Sequence, residues 1–433
     1  MQDASGYVGH PDRELSPATP EELSVLLAEA NAASIPVTIV GSATGVTGGC
    51  CPQGGWLISM RHFDRMVIER GRALAGAAVT LRDLNAAAAR TGQFYAPDPT
   101  EWTASVGGAI ATNASGSRSY RYGSTRRHIL LLHVAFADGT RRHFRRGDAI
   151  GFEVPAIPLP ATTKNTAGYP LAPGMDWIDL IAGSEGTLAV VLEAELQLLP
   201  IPPTIAAAVL FFDSDAATLD AVEICRPEPS LRMIEYLDGN SLRLLGESAP
   251  AALIVESTSA EWLESLDLPG LRDDSWAAAT AQDRERFRAF RHSLPEKVND
   301  LVRRNGFQKL GSDFAVPLAR NREMLGHYHA VLSRHFPGQY VLFGHIGDAH
   351  LHANILPTTS EQDTLGRQLM FELARQAVSF GGTVSAEHGL GKRKANLLAL
   401  QYGPDAIAAM ADVKQRLDPQ HILGRGNLFP TKN

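Results

Sequence analysis

Apolar positions change period several times along the chain, and each change predicts an element. Leu23, Leu26, Leu27 and Ala30 recur at helical spacing behind Thr19-Pro20-Glu21-Glu22. There Thr19 can cap, Pro20 suits the first helical position and Glu22 completes a capping box. Ile35-Pro36-Val37-Thr38-Ile39-Val40 is instead a short, nearly continuous run, which predicts a buried strand ending in a glycine loop. A second unit follows, with Ala73 to Val79 as strand and a helix opened by Thr80 and Asp83 and closed near Gly92. Leu130 to Phe136 and Thr140 to Phe144 flank Asp138-Gly139, a hairpin signal. Thr187 to Leu199 reads as strand and stops at Pro200-Ile201-Pro202-Pro203, the first expected domain boundary.

Residues 204–380 read as a second, α+β domain. Its helix signals include one opening at Ser293 to Glu296 and stopping at Asn305-Gly306, and its strands include Val341 to Phe343 and His350 to Ile355. Residues 381–433 resume with Gly381-Gly382, a Glu387-His388 turn and two short helices. The expected division is therefore 1–203, 204–380 and 381–433. No internal repeat and no low-complexity tract interrupts it.

Composition narrows the function classes. At 433 residues, 44% hydrophobic and 20% charged, the chain is an ordinary globular protein with room for a large core. A net charge of −7 gives no footprint for nucleic acid. Cys50, Cys51 and Cys225 are too few for a disulfide framework or a four-thiolate iron–sulfur cluster. The adjacent pair reads as small buried apolar residues. No apolar run approaches ~20 residues, so no spanning helix is expected. The opening Met1 to Gly6 lacks the character of a secretory signal. The expectation is a reduced, cytoplasmic protein, with any membrane contact peripheral and on the inner face.

The chemistry concentrates late in the chain. Val341 to Asn354 reads strand, tight turn, strand, so period-2 geometry sends His350, His352 and Asn354 to one face. A Gly347-Asp348 turn can bring His345 back beside them. Ser385-Ala386-Glu387-His388-Gly389-Leu390-Gly391 adds a carboxylate and a fourth imidazole. Two or three His with one Glu is a first-row metal ligand set, with His388 free to move protons. That set alone serves hydrolysis as well as oxidation, so a flavin-free metallohydrolase stays open at this point. Lys392, Arg393 and Lys394 read as a solvated helix start.

Three small-residue loops add a second theme. Gly41-Ser42-Ala43-Thr44-Gly45-Val46-Thr47-Gly48-Gly49 follows a buried strand. Val106 to Ser117 continues to Tyr120-Arg121-Tyr122-Gly123, and Ala182 to Leu188 enters another strand. None has the GxGxxG or P-loop spacing. Backbone N–H groups in such loops can cradle phosphate, and each buried glycine costs entropy that a plain turn does not require. Together they point to a phosphate-bearing cofactor.

These loops, with Ala96-Pro97-Asp98-Pro99 and Lys164-Asn165-Thr166-Ala167-Gly168-Tyr169, resemble the FAD-linked oxidases related to p-cresol methylhydroxylase and vanillyl-alcohol oxidase. His345 to His352 and Glu387-His388-Gly389 resemble the D-lactate, glycolate and D-2-hydroxyglutarate dehydrogenase branch. The resemblance spans nearly the whole chain. It implies an α+β fold: a two-lobed FAD-binding domain of the p-cresol methylhydroxylase type, an antiparallel-sheet cap, and a C-terminal segment returning to complete the site.

It also implies roles. Gly41, Ser42, Ala43, Thr44 and Gly45 would hold the pyrophosphate. Pro97, Gly107, Gly108, Thr112, Asn113, Ser115, Gly116, Tyr122, Gly123, Glu185, Gly186, Val190 and Asn427 would line the rest of FAD. Relatives commonly carry Gly where Ser42 and Ala43 stand. No His occupies the loop where some relatives attach flavin covalently, so the FAD is expected to be dissociable. His345, His352 and Glu387 match the family's metal ligands, for zinc or else manganese or iron. His388 matches its general base, and Arg291, Lys309 and Asn354 match substrate-side groups. His350 replaces a common amide, as an extra ligand or supporting donor. Pro295 replaces a hydroxyl residue common where a second carboxylate is selected. The implied reaction oxidises a D-2-hydroxy acid and passes electrons to a quinone, a cytochrome, an electron-transfer flavoprotein or a partner subunit. A flavoprotein subunit without turnover is the non-enzyme alternative.

Overall fold

The structure is a computed structural model that describes residues 1–429. The first lobe is a small parallel sheet, ordered Arg13–Leu15, Trp56–Ser59, Val37–Val40. It is backed by the helix Pro20–Ala32, whose cap is Thr19 as the spacing predicts, with Leu23, Leu27 and Ala30 facing inward. The second lobe is a five-stranded antiparallel sheet: Met66–Glu69, Arg72–Gly76, Val190–Gln197, Ile129–Ala135, Arg141–Arg145. The Asp138-Gly139 hairpin joins its last two strands, with Gly139 at φ +81.

An eight-stranded antiparallel sheet forms the cap. Its main path runs Trp276–Ala277, Ala206–Phe212, Ala251–Ser257, Leu231–Asp238, Tyr340–Gly344, His350–Ile355, Leu310–Gly311, and Phe314–Ala315 also pairs with the histidine strand. Helices Asp215–Cys225, Asn321–His335 and Ser360–Ser379 bury apolar faces around it. The C-terminal segment then crosses back. Val37 N–H donates to Ile422 O at 2.7 Å, Gly424 N–H donates to Val37 O at 2.9 Å, and Ile422 and Leu423 join the core of the first lobe. Among the described residues no helix is long and apolar enough to cross a membrane. All three cysteines are free.

Three expectations need correction. The helix read as starting at Ser293 spans Ala281–Arg304, opened by a Thr280–Asp283 capping box. Its inward residues Phe287, Leu294, Val298 and Val302 are too sparse among charges to mark the first half, and Pro295 mimics a start. The bend before the histidine strand is a 3-10 turn, Ile346–Asp348, followed by Ala349 at φ +49 rather than a two-residue hairpin. Asp348 is drawn inward there, its carboxylate accepting from Ser119 Oγ at 2.6 Å and Thr163 Oγ1 at 2.7 Å. Finally, Lys392 and Lys394 do not form a solvated helix start. Lys392 Nζ donates to Asn427 Oδ1 at 2.8 Å, and Lys394 lines the central cavity.

Candidate active site

A cavity of about 1290 Å³ runs from the three glycine loops to the histidine strand of the cap. Gly41, Ser42, Ala43, Thr44, Gly45, Gly107, Gly108, Thr112, Ser115, Glu185, Gly186, Val190 and Asn427 line its first half. Close packing explains the small residues: a Cβ on Gly41 would stand 2.1 Å from Ser105 Oγ. Asn427 Nδ2 donates to Gly49 O at 3.0 Å and Glu185 O at 3.1 Å, tying two loops together. Glu185 is pushed up to about 7 by burial, although its oxygens accept the N–H groups of Leu390 and Gly391 at 2.8 and 2.7 Å.

Five candidates stand behind this wall. Pro97 is buried, and Asn113 Oδ1 accepts from Arg126 N–H at 2.8 Å. Gly116 presses on Asp98, where a Cβ would lie 1.9 Å from the carbonyl oxygen. Tyr122 OH accepts from Arg232 Nε at 3.1 Å, and Gly123 ends the same short helix at φ +83. They shape the loop without facing the cavity.

His345, His352, Glu387 and His388 meet at the cavity's other half. His345 Nε2 lies 3.1 Å and His352 Nε2 3.4 Å from Glu387 Oε1. Both rings are turned by their other nitrogen: His345 Nδ1 against Glu235 Oε1 at 2.6 Å, His352 Nδ1 against Ser312 O at 3.2 Å. Donors spaced so fit a common ion, since atoms bound at about 2.1 Å around a tetrahedral cation stand roughly 3.4 Å apart. Glu387 Oε2 is already held by Ser115 Oγ at 3.0 Å and Lys164 Nζ at 2.9 Å, so Oε1 is the oxygen left for metal.

The ion-paired network holds four carboxylates, Glu235, Glu387, Asp313 and Asp348, against two cations, Lys164 and Arg291. His345, kept protonated by its two carboxylate neighbours, is a third cation there, so the network stays net negative and a metal would have to displace that proton. Burial opposes ionisation of Glu235, yet Arg291 and His345 hold it well below the usual carboxylate range. His345 is raised to about 9 by Glu235 and Glu387 against the effect of burial. Burial pushes His388 down to about 4, against the pull of Asp313, a direction that favours the neutral ring.

The remaining candidates divide. Asn354 is fully buried, donates from Nδ2 to His352 O at 3.2 Å, and among the described residues leaves Oδ1 without a partner beside the cavity. Lys309 is exposed to the open cavity with no ion pair among the described residues, and the desolvating cavity walls, then Lys394, lower it to about 8. Arg291 lines the cavity too, but Nε and Nη2 close on Glu235 at 2.9 and 2.8 Å. His350 sits behind Glu387, fully buried, with Nε2 3.1 Å from Asp313 Oδ1, and it does not line the cavity.

Sequence reasoning assigned nothing to Glu235, Lys164 or Asp313. A signal existed for the first: Glu235 interrupts the apolar run Met233-Ile234-Glu235-Tyr236-Leu237, and an acid buried in such a strand needs a partner.

Comparison with known proteins follows the same lines. Residues 201–428 match the family described as FAD linked oxidases, C-terminal domain, and residues 11–145 match an FAD binding domain. The chain belongs to the FAD-linked oxidases. Over 98% of its length it is 28% identical to a glycolate oxidase subunit GlcD of Bacillus subtilis (strain 168), covering 90% of that protein. It is 30% identical to a D-lactate dehydrogenase of Archaeoglobus fulgidus over 96% of its own length and 90% of the relative's. A solved alkyldihydroxyacetonephosphate synthase shares the fold at TM-score 0.69 and 16% identity, over 97% of this chain and 76% of that one. This FAD-linked oxidoreductase therefore has the p-cresol methylhydroxylase-type architecture.

Proposed function

We propose that this FAD-linked oxidase is a metal-assisted dehydrogenase of a D-2-hydroxy acid, of D-lactate or D-2-hydroxyglutarate type. The observation that carries the reading is a single cavity shared by the cofactor loops and the His345/His352/Glu387 cluster. Oxidising such an acid removes a hydroxyl proton and a hydride from the same carbon–oxygen unit. When bound, a divalent ion acidifies the chelated hydroxyl, and FAD supplies the hydride acceptor. His345, His352 and Glu387 would hold the ion, zinc first by ligand type, with manganese or iron as alternatives. His388, neutral and beside them, receives the hydroxyl proton. Lys309 offers its ammonium to the substrate carboxylate, and Asn354 Oδ1 waits for a donor. His350 and Lys164 support Glu387 from behind.

A flavin-free metallohydrolase does not suit a chain of this family. Two readings remain to be separated by experiment: turnover, or a flavoprotein subunit that passes no electrons itself. Dye reduction by the purified protein with D-lactate, D-2-hydroxyglutarate and glycolate decides between them. Reduction with at least one acid, lost on verified metal removal and restored by zinc or manganese, supports the proposal. No reduction by any of them, with flavin and metal both bound, contradicts it. The same measurement with quinone, cytochrome and electron-transfer flavoprotein identifies the class of acceptor.

A further inference from the structure

Ser312 and Asp313 join the short strands Leu310–Gly311 and Phe314–Ala315, which both pair with the histidine strand. The first accepts from one cavity imidazole, and the second abuts the other. Ser312 O accepts from His352 Nδ1, as described above. Asp313 is fully buried and aims its carboxylate at the turn that carries Glu387 and His388. Oδ2 accepts from Ser385 Oγ at 2.7 Å and from the His388 N–H at 2.9 Å. The Glu387 N–H reaches both oxygens, at 3.4 and 3.3 Å. Oδ1 stands 3.5 Å from His388 Nδ1 and 3.1 Å from His350 Nε2. Holding the turn alone would take an acceptor, which a neutral side chain supplies without the desolvation cost of a buried charge.

We propose that Asp313 is a positioning residue for His388: it keeps the ring protonated on Nδ1 and leaves Nε2 bare toward the cavity. The inference rests on the oxidation reading given above and deepens it. The ring is stacked on His352 at 5.4 Å between centroids and 15° between planes, so the two imidazoles lie nearly parallel and His388 is held beside a metal ligand. His388 Nε2 lies 4.0 Å from Glu387 Oε1, the carboxylate oxygen left free for a metal. Nε2 then takes the hydroxyl proton, and the oxygen's electron pair becomes the second bond of the carbonyl. FAD, when bound, would supply the two-electron acceptor for the hydride from that carbon. The ring becomes imidazolium, and its charge is met by the Asp313 carboxylate on the Nδ1 side.

A double-mutant cycle separates this role from simple support of the turn. Asp313→Asn is made in the wild type and in His388→Ala, and anaerobic flavin reduction is followed at saturating substrate. In the wild type the rate should fall about 100-fold or more, with KM, bound metal and bound FAD little changed. In His388→Ala the same substitution should change the residual rate by less than about threefold. Equal losses in both backgrounds, or no loss in the wild type, would overturn the proposal. Should Asp313→Asn fail to fold, the histidine nitrogen spectrum of wild-type, zinc-loaded protein decides instead. Protonation of His388 on Nδ1 supports the proposal and protonation on Nε2 refutes it. That spectrum needs no substrate. It still judges Asp313 if no 2-hydroxy acid bleaches the wild-type flavin, an outcome that would instead remove the oxidation reading.

Discussion

Replacing Glu235 by Gln keeps the shape of a buried side chain and removes its charge. Glu235 is 2% exposed and serves two partners at once, His345 Nδ1 at 2.6 Å and the Arg291 fork at 2.8 and 2.9 Å. The first contact orients a metal ligand. Such supporting partners typically carry 10–100-fold in metal affinity, or about 1.4–2.8 kcal/mol. The second contact neutralises a largely buried guanidinium, and stranding a buried charge costs about 3–5 kcal/mol in stability. Gln can still accept one hydrogen bond from Arg291, so the lower end of that range is expected. The assay is competition for zinc against a chromophoric chelator, with denaturant unfolding of the metal-free protein alongside. Glu235→Gln should bind zinc at least about tenfold more weakly and unfold at lower denaturant with an unchanged slope. Zinc affinity within about twofold of wild type would refute the orienting role, whatever happened to stability.

Further outcomes follow from the same geometry. Lys309 must be an ammonium to hold a carboxylate, and the desolvating cavity walls, then Lys394, lower it to about 8. The charged form is therefore lost as pH rises through 8, and kcat/KM should fall above that pH while Lys309→Met abolishes the limb. Ala43 adopts φ +57 in the first glycine loop, a conformation that costs a residue with a Cβ about 1–2 kcal/mol. Ala43→Gly should raise stability by up to about 1 kcal/mol, read by denaturant unfolding, and tighten FAD binding, read by flavin fluorescence titration. Acid precipitation should release all flavin into the supernatant, and a yellow, fluorescent pellet would show a covalent link.

Much of the fold was legible in the sequence because local and global signals agree there. Thr19 and Thr80 cap the helices they were expected to cap, and the Asp138-Gly139 hairpin falls where its turn residues stand. The cofactor loops could be read because glycine is costly where nothing presses on it, and Gly41 and Gly116 both stand against other chain segments. Legibility fails where partners are distant in the chain. Lys164 meets Glu387 across 223 positions and Glu235 meets His345 across 110, distances at which no spacing rule operates. His350 shares a strand face with His352, but packing places its ring behind Glu387, a difference that strand period cannot express. Arg291 sits on a helix whose first half carried no clear apolar stripe, so its engagement with Glu235 was equally hidden.

The central claim is that a chelated hydroxyl gives its proton to His388 while its carbon gives a hydride to FAD. Anaerobic mixing with the D and L forms of the best substrate, followed by loss of the flavin's visible band, tests it most directly. The D form should bleach wild-type protein in a single fast phase, and neither His388→Ala nor metal-stripped protein, both still holding FAD, should bleach comparably. Bleaching of His388→Ala at the wild-type rate, or by both enantiomers alike, would contradict the account.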